Sequence, residues 1–349
     1  MRIAVFLPNW VGDAVMATPA LAAIRKRFPE AALTGILRPY VEDALESSGL
    51  LDHVISWNPR GGAPAERGWR LAHRLRQERF DVAVVMPNSL RSAWMAWLSG
   101  AKRRIGLARN GRQMLLTDPV RGPDRRVPHP ALDNYLLLAE ALGAETGNRQ
   151  MRLGTSVDDQ LAWDEAKRRL QSVSPVCLAP KSYISLNPGG AFGAAKHWPA
   201  THFGTLARQI VEDLGLSVVV VCGPAERDEA RAIVEHAATP GVVSLAEEKP
   251  SLGLTKAVIR ESAALVTTDS GPRHFAAPFG IPTVTVFGPT HIAWSETHDP
   301  FAVHVQRDVD CGPCQQRVCP LGHHGCMTEL KPSLVLIALQ SLLRRVEAA

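Results

Sequence analysis

Short apolar runs alternate with amphipathic segments along most of the chain. Runs of strand length occupy residues 3–8, 33–37, 53–57 and 82–87 in the first half and residues 184–189, 217–224, 242–247, 264–270 and 282–289 in the second. Because these runs are continuous and rich in β-branched residues, they are typical of parallel strands buried on both faces. The segments between them have the apolar spacing of helices. The pattern therefore predicts an α/β fold with two doubly wound parallel-sheet domains, which we expect to face each other across a cleft.

Residues 144–182 interrupt this alternation with a polar, proline-containing stretch around a charged helix. Such stretches are typical of the connection between domains. We therefore predict an N-terminal domain over residues 1–175 and a C-terminal domain over residues 176–330. A closing helix over residues 331–349 is expected to pack back on the N-terminal domain.

The composition fits a two-domain globular protein. The chain has 349 residues, a net charge of +5 and 46% hydrophobic residues, so disorder is not expected. The mild positive charge suits a partner that carries phosphates or an anionic membrane surface. No apolar run approaches the roughly 18 residues needed to cross a bilayer, and the N-terminus resembles a first strand more than a secretory signal. These features predict a cytoplasmic protein.

The segment NWVGDAVM (9–16) places an ionisable carboxylate, Asp13, between the first predicted strand and a helix. The segment lacks the G-x-G-x-x-G pattern of dinucleotide sites, which disfavours a nicotinamide cofactor. Asp13 has two possible roles. It could cap its own helix, which stabilises a protein by about 1 kcal/mol, or it could act as a general base that takes a proton from an acceptor hydroxyl.

The segment NPGGAFGAAKHWP (187–199) follows a predicted strand and combines glycines with one lysine. Amides near Gly190, together with Lys196, would make a phosphate cradle. The segment does not match G-x-x-x-x-G-K-[ST], because His197 follows the lysine. The alternative is a flexible loop with an exposed lysine.

A third segment, TTDSGPRHFAAPFGIPTVTVFGPT (267–290), delivers Asp269, Ser270 and Gly271 to the start of a short helix with His274 in its first turn. Such a turn offers amide donors to an anion, although Asp269 or Ser270 could simply cap the helix. Glu226, which follows the strand at 217–224, could bind ribose hydroxyls or only complement a helix dipole.

Two further segments carry candidate binding surfaces in the first half. Basic residues crowd the stretch after VMPNS (85–89): Arg91, Lys102, Arg103, Arg104, Arg109 and Arg112. They would form either a phosphate-binding lobe or a solvated basic face. In SAWMAWLSG (92–100), Trp94 and Trp97 could enter a membrane interface, but a core stripe is the expected arrangement. No basic stripe interleaved with aromatic residues appears elsewhere, so nucleic-acid binding is not expected.

Four cysteines crowd one segment near the C-terminus: Cys311, Cys314, Cys319 and Cys326. Their C-x2-C-x4-C-x6-C spacing, with His323 and His324 inside it, makes a structural zinc site one possibility. The last two spacings are unlike a zinc ribbon, so reduced thiols that merely pack and redox pairing stay open as alternatives.

Taken together, these segments resemble a known family. WVGD around Asp13, KHWP at Lys196 and DSGPRH at 269–274 occur in the order and at the separations found in the ADP-heptose:lipopolysaccharide heptosyltransferases of glycosyltransferase family 9. The resemblance covers essentially the whole chain. VMPNS (85–89), CPLGHHGCM (319–327) and the closing helix are similar to the heptosyltransferase II branch.

The resemblance implies a GT-B fold with two Rossmann-like domains, in which the first binds the acceptor and the second the nucleotide-sugar. It implies inverting transfer, without a required cofactor or metal, from ADP-L-glycero-D-manno-heptose to the lipid A–Kdo–heptose core of lipopolysaccharide, where a second heptose joins the first. The enzyme would work in the cytoplasm, with a possible peripheral contact to the inner membrane. Alternatives are a GT-B transferase with another nucleotide-sugar and a non-catalytic sugar-nucleotide or glycolipid-binding module.

The resemblance also implies roles for single residues. Asp13 would be the catalytic base and Lys196 would contact the diphosphate and support catalysis. The remaining donor-binding candidates are Gly190, Glu226, Asp269, Ser270, Gly271 and His274. The acceptor-binding candidates are Asn88, Arg91 and Arg109.

Overall fold

The computed structural model describes residues 1–124, 126–190 and 193–348. The chain divides into two compact units. The first comprises Met1–Gly154 with Ser295–Thr297, and the second comprises Thr155–Trp294 with His298–Ala349. Each unit is built around one six-stranded sheet in which all neighbouring strands are parallel.

The first unit has the strand order β3-β2-β1-β4-β5-β6. Its strands are β1 (Arg2–Phe6), β2 (Ala32–Leu37), β3 (His53–Ser56), β4 (Val82–Val85), β5 (Arg103–Leu107) and β6 (Asp118–Val120). Its helices are α1 (Val11–Met16), α2 (Thr18–Arg27), α3 (Pro39–Leu45), α4 (Gly68–Gln77), α5 (Leu90–Leu98) and α6 (Ala131–Ala141), with short 3-10 turns at Pro64–Glu66 and Arg112–Leu115.

The second unit repeats this order, since its strands run β9-β8-β7-β10-β11-β12 across the sheet. They are β7 (Tyr183–Asn187), β8 (Ser217–Val220), β9 (Val242–Ser244), β10 (Ala264–Thr268), β11 (Thr283–Phe287) and β12 (Ala302–Gln306). The helices are α7 (Val157–Val173), α8 (Ala200–Leu214), α9 (Arg227–Ala237), α10 (Leu252–Glu261), α11 (Arg273–Ala276), α12 (Gly325–Thr328) and α13 (Pro332–Glu347), with 3-10 turns at Ala194–Lys196, Ala277–Phe279 and Ile292–Ser295.

The nine predicted strands all form, because each has an apolar run long enough to fill a layer between helices. Residues Ile3 to Phe6 of β1, for example, are fully buried. The apolar pattern did not predict three further strands, β5, β6 and β12. β5 begins with two arginines, β6 contains Pro119, and β12 is only half-buried. Strands at or near a sheet edge need no continuous apolar run, so the pattern does not reveal them.

The division between the units lies at residues 154 and 155, whereas the sequence analysis placed it at 175 and 176. The difference comes from α7, which a Ser156–Asp159 capping box begins. Trp163 of α7 is fully buried, its ring lies 5.8 Å from that of Tyr183, and its indole N–H donates to Glu261 over 2.9 Å. These contacts attach α7 to the second sheet.

The closing helix α13 also packs within the second unit. Val335, Leu339 and Leu342 are fully buried in the same hydrophobic cluster as residues of β7, β8, β10 and β11. The expectation that this helix packs back on the N-terminal domain therefore differs from the structure. A stripe of apolar residues at helical spacing identifies a buried face but not the surface that covers it.

In both sheets the winding direction reverses beside the first strand, between β1 and β4 in one unit and between β7 and β10 in the other. Ligands of open parallel sheets bind beyond the carboxyl ends of the strands at such a reversal. The chain segments that leave these four strands contain Asp13, Asn88, Lys196 and Asp269. Within the described ranges, no helix has both the length and the apolar character to span a bilayer.

Candidate active site

Asp13 lies at the reversal point of the first sheet, in the first turn of α1. The residue that precedes the helix, Trp10, makes no side-chain cap, so Asp13 complements the helix dipole from inside the first turn. The side chain of Asp13 is partly buried, and its Oδ1 accepts a hydrogen bond from the hydroxyl of Tyr135 on α6 over 3.1 Å. The carboxylate is thus held in one orientation by a residue 122 positions away.

Tyr135 is itself buried, with 8% of its surface exposed. Burial, together with the charge of Asp13 and the hydrogen bond to it, raises the pKa of Tyr135 well above its ordinary value. The phenol therefore stays protonated at neutral pH and serves as a donor to Asp13. Sequence reasoning missed Tyr135, because the contact arises only when α6 packs beside α1.

Arg112 organises the loop that follows β4, at the other side of the same reversal. It is fully buried, and its guanidinium donates to the carbonyl oxygens of Leu107, over 2.9 Å, and Pro87. A third bond of 3.3 Å reaches Oδ1 of Asn88. Burial and the neighbouring Arg109 lower the pKa of Arg112 to about 10, which leaves it charged at neutral pH. Arg112 thus positions Asn88 rather than facing a ligand.

Most of the predicted basic lobe is engaged within the protein in the same way. Lys102 pairs with Asp81 and Arg103 with Asp118, while Arg104 donates to two carbonyl oxygens. The predicted cluster of six basic side chains is therefore not a free phosphate-binding surface, because local carboxylates and carbonyls take up much of its charge.

The acceptor candidates differ in how firmly they are held. Arg109 donates to the carbonyl of Pro123 over 2.9 Å, and the backbone carbonyl of Asn88 accepts from Asn110. Arg91, in the first turn of α5, is exposed to solvent. Further along α5, Trp94 and Trp97 are 50% and 47% exposed, so the expectation of a core stripe is wrong. The buried face of α5 is formed by smaller residues that include Ala93 and Ala96.

A dense ionic network lies at the reversal point of the second sheet. Asp269 follows β10, and Lys196 comes from the turn after β7. Nζ of Lys196 donates to the backbone carbonyl of Asp269 over 3.0 Å and forms a salt bridge with its carboxylate. Thr290 donates to the same carboxylate over 2.8 Å, and a guanidinium nitrogen of Arg273 lies 3.6 Å from it. Sequence reasoning gave Thr290 and Arg273 no role, although both lie in the segment that it selected.

The surroundings set the charges of this network. Burial by itself raises the pKa of Asp269, but the positive charges of Lys196 and Arg273 outweigh it and lower the pKa to about 2. Burial and the adjacent Arg273 lower the pKa of His274 to about 3. At neutral pH the pocket therefore contains an ionised aspartate and an uncharged imidazole, beside two cations.

The other donor candidates surround this network. Ser270 accepts a 2.7 Å hydrogen bond from the Asn187 amide, which ties the end of β10 to the end of β7. The carboxylate of Glu226, at the start of α9, accepts the backbone N–H of Gly223 over 2.8 Å. A side chain at position 189 would have its Cβ 3.2 Å from that carboxylate.

Gly190 and Gly271 complete the donor set. A Cβ at Gly190 would lie 3.5 Å from Cβ of Lys196, which is an ordinary contact, so the backbone at this glycine passes close to the lysine. The carbonyl of Gly271 accepts the backbone N–H of His274 over 3.1 Å. The predicted phosphate loop also contains residues 191 and 192, which lie outside the described residues.

The cysteine segment lines a small cavity of about 20 Å³ together with His323 and His324. Sγ of Cys311 lies 3.9 Å from Nε2 of His323, and backbone amides that include that of His324 lower the pKa of Cys319. Among the described residues, no three or more His, Cys, Asp or Glu side chains are arranged to hold a metal ion. The four thiols are unpaired by disulfides, and the structure gives no support to the zinc hypothesis.

Comparison with known proteins identifies the family. The family model "Glycosyltransferase family 9 (heptosyltransferase)" matches residues 68–324, which is most of the chain. The chain belongs to glycosyltransferase family 9. This membership confirms the resemblance seen in the sequence and makes the protein a glycosyltransferase.

The relatives of this family 9 member match it along its length. The lipopolysaccharide heptosyltransferase 2 of Escherichia coli K12 is 28% identical over 100% of both chains. The lipooligosaccharide heptosyltransferase 2 of Campylobacter jejuni is 26% identical over 99% of both. The solved structure of E. coli ADP-heptose lps heptosyltransferase II is 25% identical, covers 99% of this chain and 100% of its own, and superimposes with a TM-score of 0.77. The prediction of a GT-B fold with two Rossmann-like sheets is confirmed.

Proposed function

We propose that this family 9 enzyme transfers heptose from ADP-L-glycero-D-manno-heptose to the lipopolysaccharide inner core, where it attaches the second heptose to the first. Full-length similarity to lipopolysaccharide heptosyltransferase 2 supports heptose transfer in core synthesis. The observation that carries the proposal is the contrast between two carboxylates. Asp13 accepts a hydrogen bond from the neutral hydroxyl of Tyr135, whereas Asp269 is held between two cations, so we assign proton transfer to Asp13.

The donor diphosphate would bind at the reversal point of the second sheet. Lys196 and Arg273 provide fixed positive charge, and Asp269 orients Lys196 through two contacts. Preorganised cations of this kind lower a barrier because negative charge grows on the leaving phosphates and no solvent has to reorganise. The backbone amides of Gly190, Ser270 and Gly271 would add donors. Glu226 would accept hydrogen bonds from the ribose.

The transfer step would begin when Asp13 takes the proton of the acceptor hydroxyl. That oxygen forms a bond to the anomeric carbon as the bond from this carbon to the diphosphate oxygen breaks, and ADP leaves with the electron pair. Attack on the face opposite the leaving group inverts the anomeric configuration. The hydrogen bond from Tyr135 keeps the Asp13 carboxylate in one orientation, which favours a defined approach of the hydroxyl.

The proposal includes no requirement for a metal ion. The growing charge on the diphosphate would be neutralised by Lys196 and Arg273, and the uncharged His274 could donate a hydrogen bond from its ring. We therefore expect transfer to persist when divalent ions are chelated. If transfer stops on chelation and added Mg²⁺ restores it, the proposal of metal-independent transfer is wrong.

The acceptor would bind to the first unit through Asn88, Arg91 and Arg109. Arg112 holds Asn88 in place, and Arg91 is free to reach a phosphate of the core. The acceptor is a glycolipid made on the cytoplasmic side, so we place the enzyme in the cytoplasm, peripheral to the inner membrane.

The test is Asp13→Asn in an ADP-release assay with ADP-heptose and a defined inner-core acceptor. The amide keeps the shape and the bond to Tyr135 but cannot take a proton, so we expect turnover to fall by about 100-fold or more. ADP binding, measured by calorimetry, should not change. The matched control is Glu30→Gln, an exposed carboxylate of the same unit. Turnover of Asp13→Asn within a few-fold of the parent would refute the assignment of the base.

Product stereochemistry and donor preference test the identity of the reaction separately from the assignment of the base. NMR of the product should show the anomeric configuration opposite to that of the donor, and ADP-heptose should be used in preference to UDP-sugars. Retention of configuration, or equal turnover with UDP-sugars, would contradict the proposed reaction while leaving the family assignment intact.

A further inference from the structure

Two neighbouring helices of the first unit expose large aromatic side chains to solvent. Trp69 on α4 is 77% exposed, and Leu90, Trp94 and Trp97 on α5 are each about half exposed. The three residues on α5 are spaced i, i+4 and i+7, so they form one stripe along the helix. The rings of Trp94 and Trp97 contact each other, with centroids 5.2 Å apart. We call Trp69, Leu90, Trp94 and Trp97 the tryptophan face.

A groove of about 660 Å³ runs through this face between the two helices. Trp69 and Trp97 line it together with Leu98, and its remaining walls include Arg70, His73 and Arg76. The groove is thus lined by both aromatic and basic side chains. The groove lies within the first unit, and the residues that line it are distant in sequence from Asp13 and Tyr135.

Other residues form the buried faces of the two helices. α4 already buries Leu71, Ala72 and Leu75, and α5 already buries Ala93 and Ala96 in the same hydrophobic cluster. Exposed tryptophans are costly on a surface that only meets water, and contiguous apolar patches of this kind mark interaction sites.

The charge of α4 is entirely positive. The helix contains Arg70, Arg74 and Arg76 and no aspartate or glutamate. All three arginines are exposed, and none forms an ion pair with another residue of the described ranges. This distinguishes them from Lys102 and Arg103, whose charges are neutralised by Asp81 and Asp118. Helix α4 therefore offers a basic surface to a partner.

From this combination we infer that the tryptophan face and the arginines of α4 dock the enzyme on an anionic phospholipid surface. Tryptophan rings prefer the headgroup region of a bilayer, where one edge is apolar and the N–H stays hydrated. Arginines beside them bind lipid phosphates and extend their charged ends to the interface. The inference concerns a surface outside the proposed catalytic residues and does not depend on the identity of the sugar.

Vesicle sedimentation tests this inference with the full-length protein. The vesicles contain phosphatidylcholine with or without phosphatidylglycerol and no lipopolysaccharide, so the glycolipid acceptor cannot contribute. We expect binding to the anionic vesicles only, weakening as salt rises. Each arginine near a charged membrane contributes roughly fivefold in affinity, so R70Q/R76Q should weaken binding by about 25-fold. W94A/W97A should reduce binding by about tenfold or more, and more strongly in high salt.

Matched variants on the second unit serve as controls. V157A/L161A removes two exposed apolar side chains, and R168Q/R344Q removes two exposed arginines. These should bind vesicles as the parent does. Thermal unfolding of every variant establishes that it is folded, and turnover with a water-soluble acceptor should stay at the parent level in W94A/W97A.

Two results would overturn the inference. One is the absence of binding to either vesicle, which would leave the face to a protein partner. The other is binding that W94A/W97A and R70Q/R76Q reduce no more than their controls do, which would show that the membrane contact lies elsewhere.

Discussion

Each unit presents a carboxylate at the reversal point of its sheet, Asp13 after β1 and Asp269 after β10, and surrounds it in the opposite way. Asp13, after the first strand of the first sheet, accepts a hydrogen bond from the neutral Tyr135 and is partly open to solvent. Asp269, at the reversal point of the second sheet, is buried beside Lys196 and Arg273, which lower its pKa to about 2. One fold plan thus supports a partly open carboxylate, which we propose as the base, in one unit and a fixed cage of charge around Asp269 in the other.

This difference shows why fold alone does not assign chemistry. A carboxylate that two cations stabilise in its ionised form is a poor proton acceptor, because the proton would have to displace those contacts. The same contacts make Asp269 a good support for the two cations that we propose as the diphosphate site. Four substitutions test the comparison, beginning with the one whose effect should be largest.

Replacing Lys196 by methionine should have the largest effect. It tests whether the cations around Asp269 act on the leaving diphosphate. The side chain keeps most of its length, while Asp269 keeps its contacts with Arg273 and Thr290. Because a preorganised donor to the leaving group is lost, we expect kcat to fall by about 100- to 1000-fold. ADP binding should also weaken, as calorimetry would measure.

Lys249→Met, at an exposed lysine of the same unit, is the matched control and should leave both quantities unchanged. If Lys196→Met loses stability instead of activity, the lysine only neutralises Asp269. The double variant K196M/D269N distinguishes the two cases. It should regain stability without regaining turnover if Lys196 acts on the substrate.

Tyr135→Phe is a smaller change, and it tests the surroundings of Asp13 in the first unit. The variant removes only the hydroxyl that donates to Asp13 over 3.1 Å. Without this donor the ionised carboxylate is less stabilised, so the acidic limb of the pH–rate profile should move to higher pH. At pH 7 the loss in turnover should be several-fold.

A general loss of packing would lower the whole profile without moving its limb, so the profile distinguishes positioning from stability. Tyr40→Phe, at a half-exposed tyrosine of the same unit, is the control and should leave the limb in place. If the limb of Tyr135→Phe does not move, the group that titrates is not held by Tyr135.

The sequence predicted the layers of this fold well and its tertiary contacts poorly. Among the described residues, continuous apolar runs identified nine of the twelve strands, because burial on both faces leaves a mark on most residues of a central strand. The motif segments pointed to Lys196 and Asp269. Each follows a strand, and because the two strands are parallel neighbours, their carboxyl ends lie side by side. The sequence-derived roles of these residues in catalysis and donor binding stay predictions.

The contacts that were missed depend on packing between distant segments. Tyr135 lies in an ordinary apolar helix pattern, and nothing in its spacing indicates that it meets Asp13. Arg112 resembled one more surface arginine, although it is fully buried among carbonyl oxygens. Conversely, Trp94 and Trp97 had the spacing of a core stripe, because periodicity shows that a face is apolar but not whether anything covers it.

His274 allows the surroundings of Asp269 to be tested through the pH dependence of stability rather than through turnover. Its pKa is lowered from 6.5 to about 3 by burial and by Arg273, so the folded protein excludes a proton that the unfolded chain binds. The stabilisation is fully present above pH 6.5 and is lost as the pH falls toward 3. The free energy of unfolding should therefore decrease over this range, by at most about 1.4 kcal/mol per pH unit from this residue.

Urea unfolding of the parent and His274→Gln at several pH values measures that contribution. The variant should have the shallower dependence on pH. His236→Gln, at an exposed histidine of the same unit, should keep the dependence of the parent. Equal slopes in the parent and in His274→Gln would mean that the imidazole is protonated in the folded state and that the cage is more open than the contacts indicate.

Arg91→Gln should have the smallest effect and tests whether the first unit binds charge at all near its proposed base. Arg91 is exposed, whereas Arg109 is tied to the carbonyl of Pro123. A single exposed charge contributes at most about 1 kcal/mol, so the acceptor KM should rise by about fivefold or less while kcat is unchanged. The effect should shrink at high salt and vanish with a dephosphorylated acceptor, and Arg60→Gln, another exposed arginine of this unit, should have none. An equal rise in KM for the phosphorylated and dephosphorylated acceptors would show that Arg91 contacts the sugar instead, and the first unit would then recognise its substrate by shape and hydrogen bonds while the second alone binds phosphate.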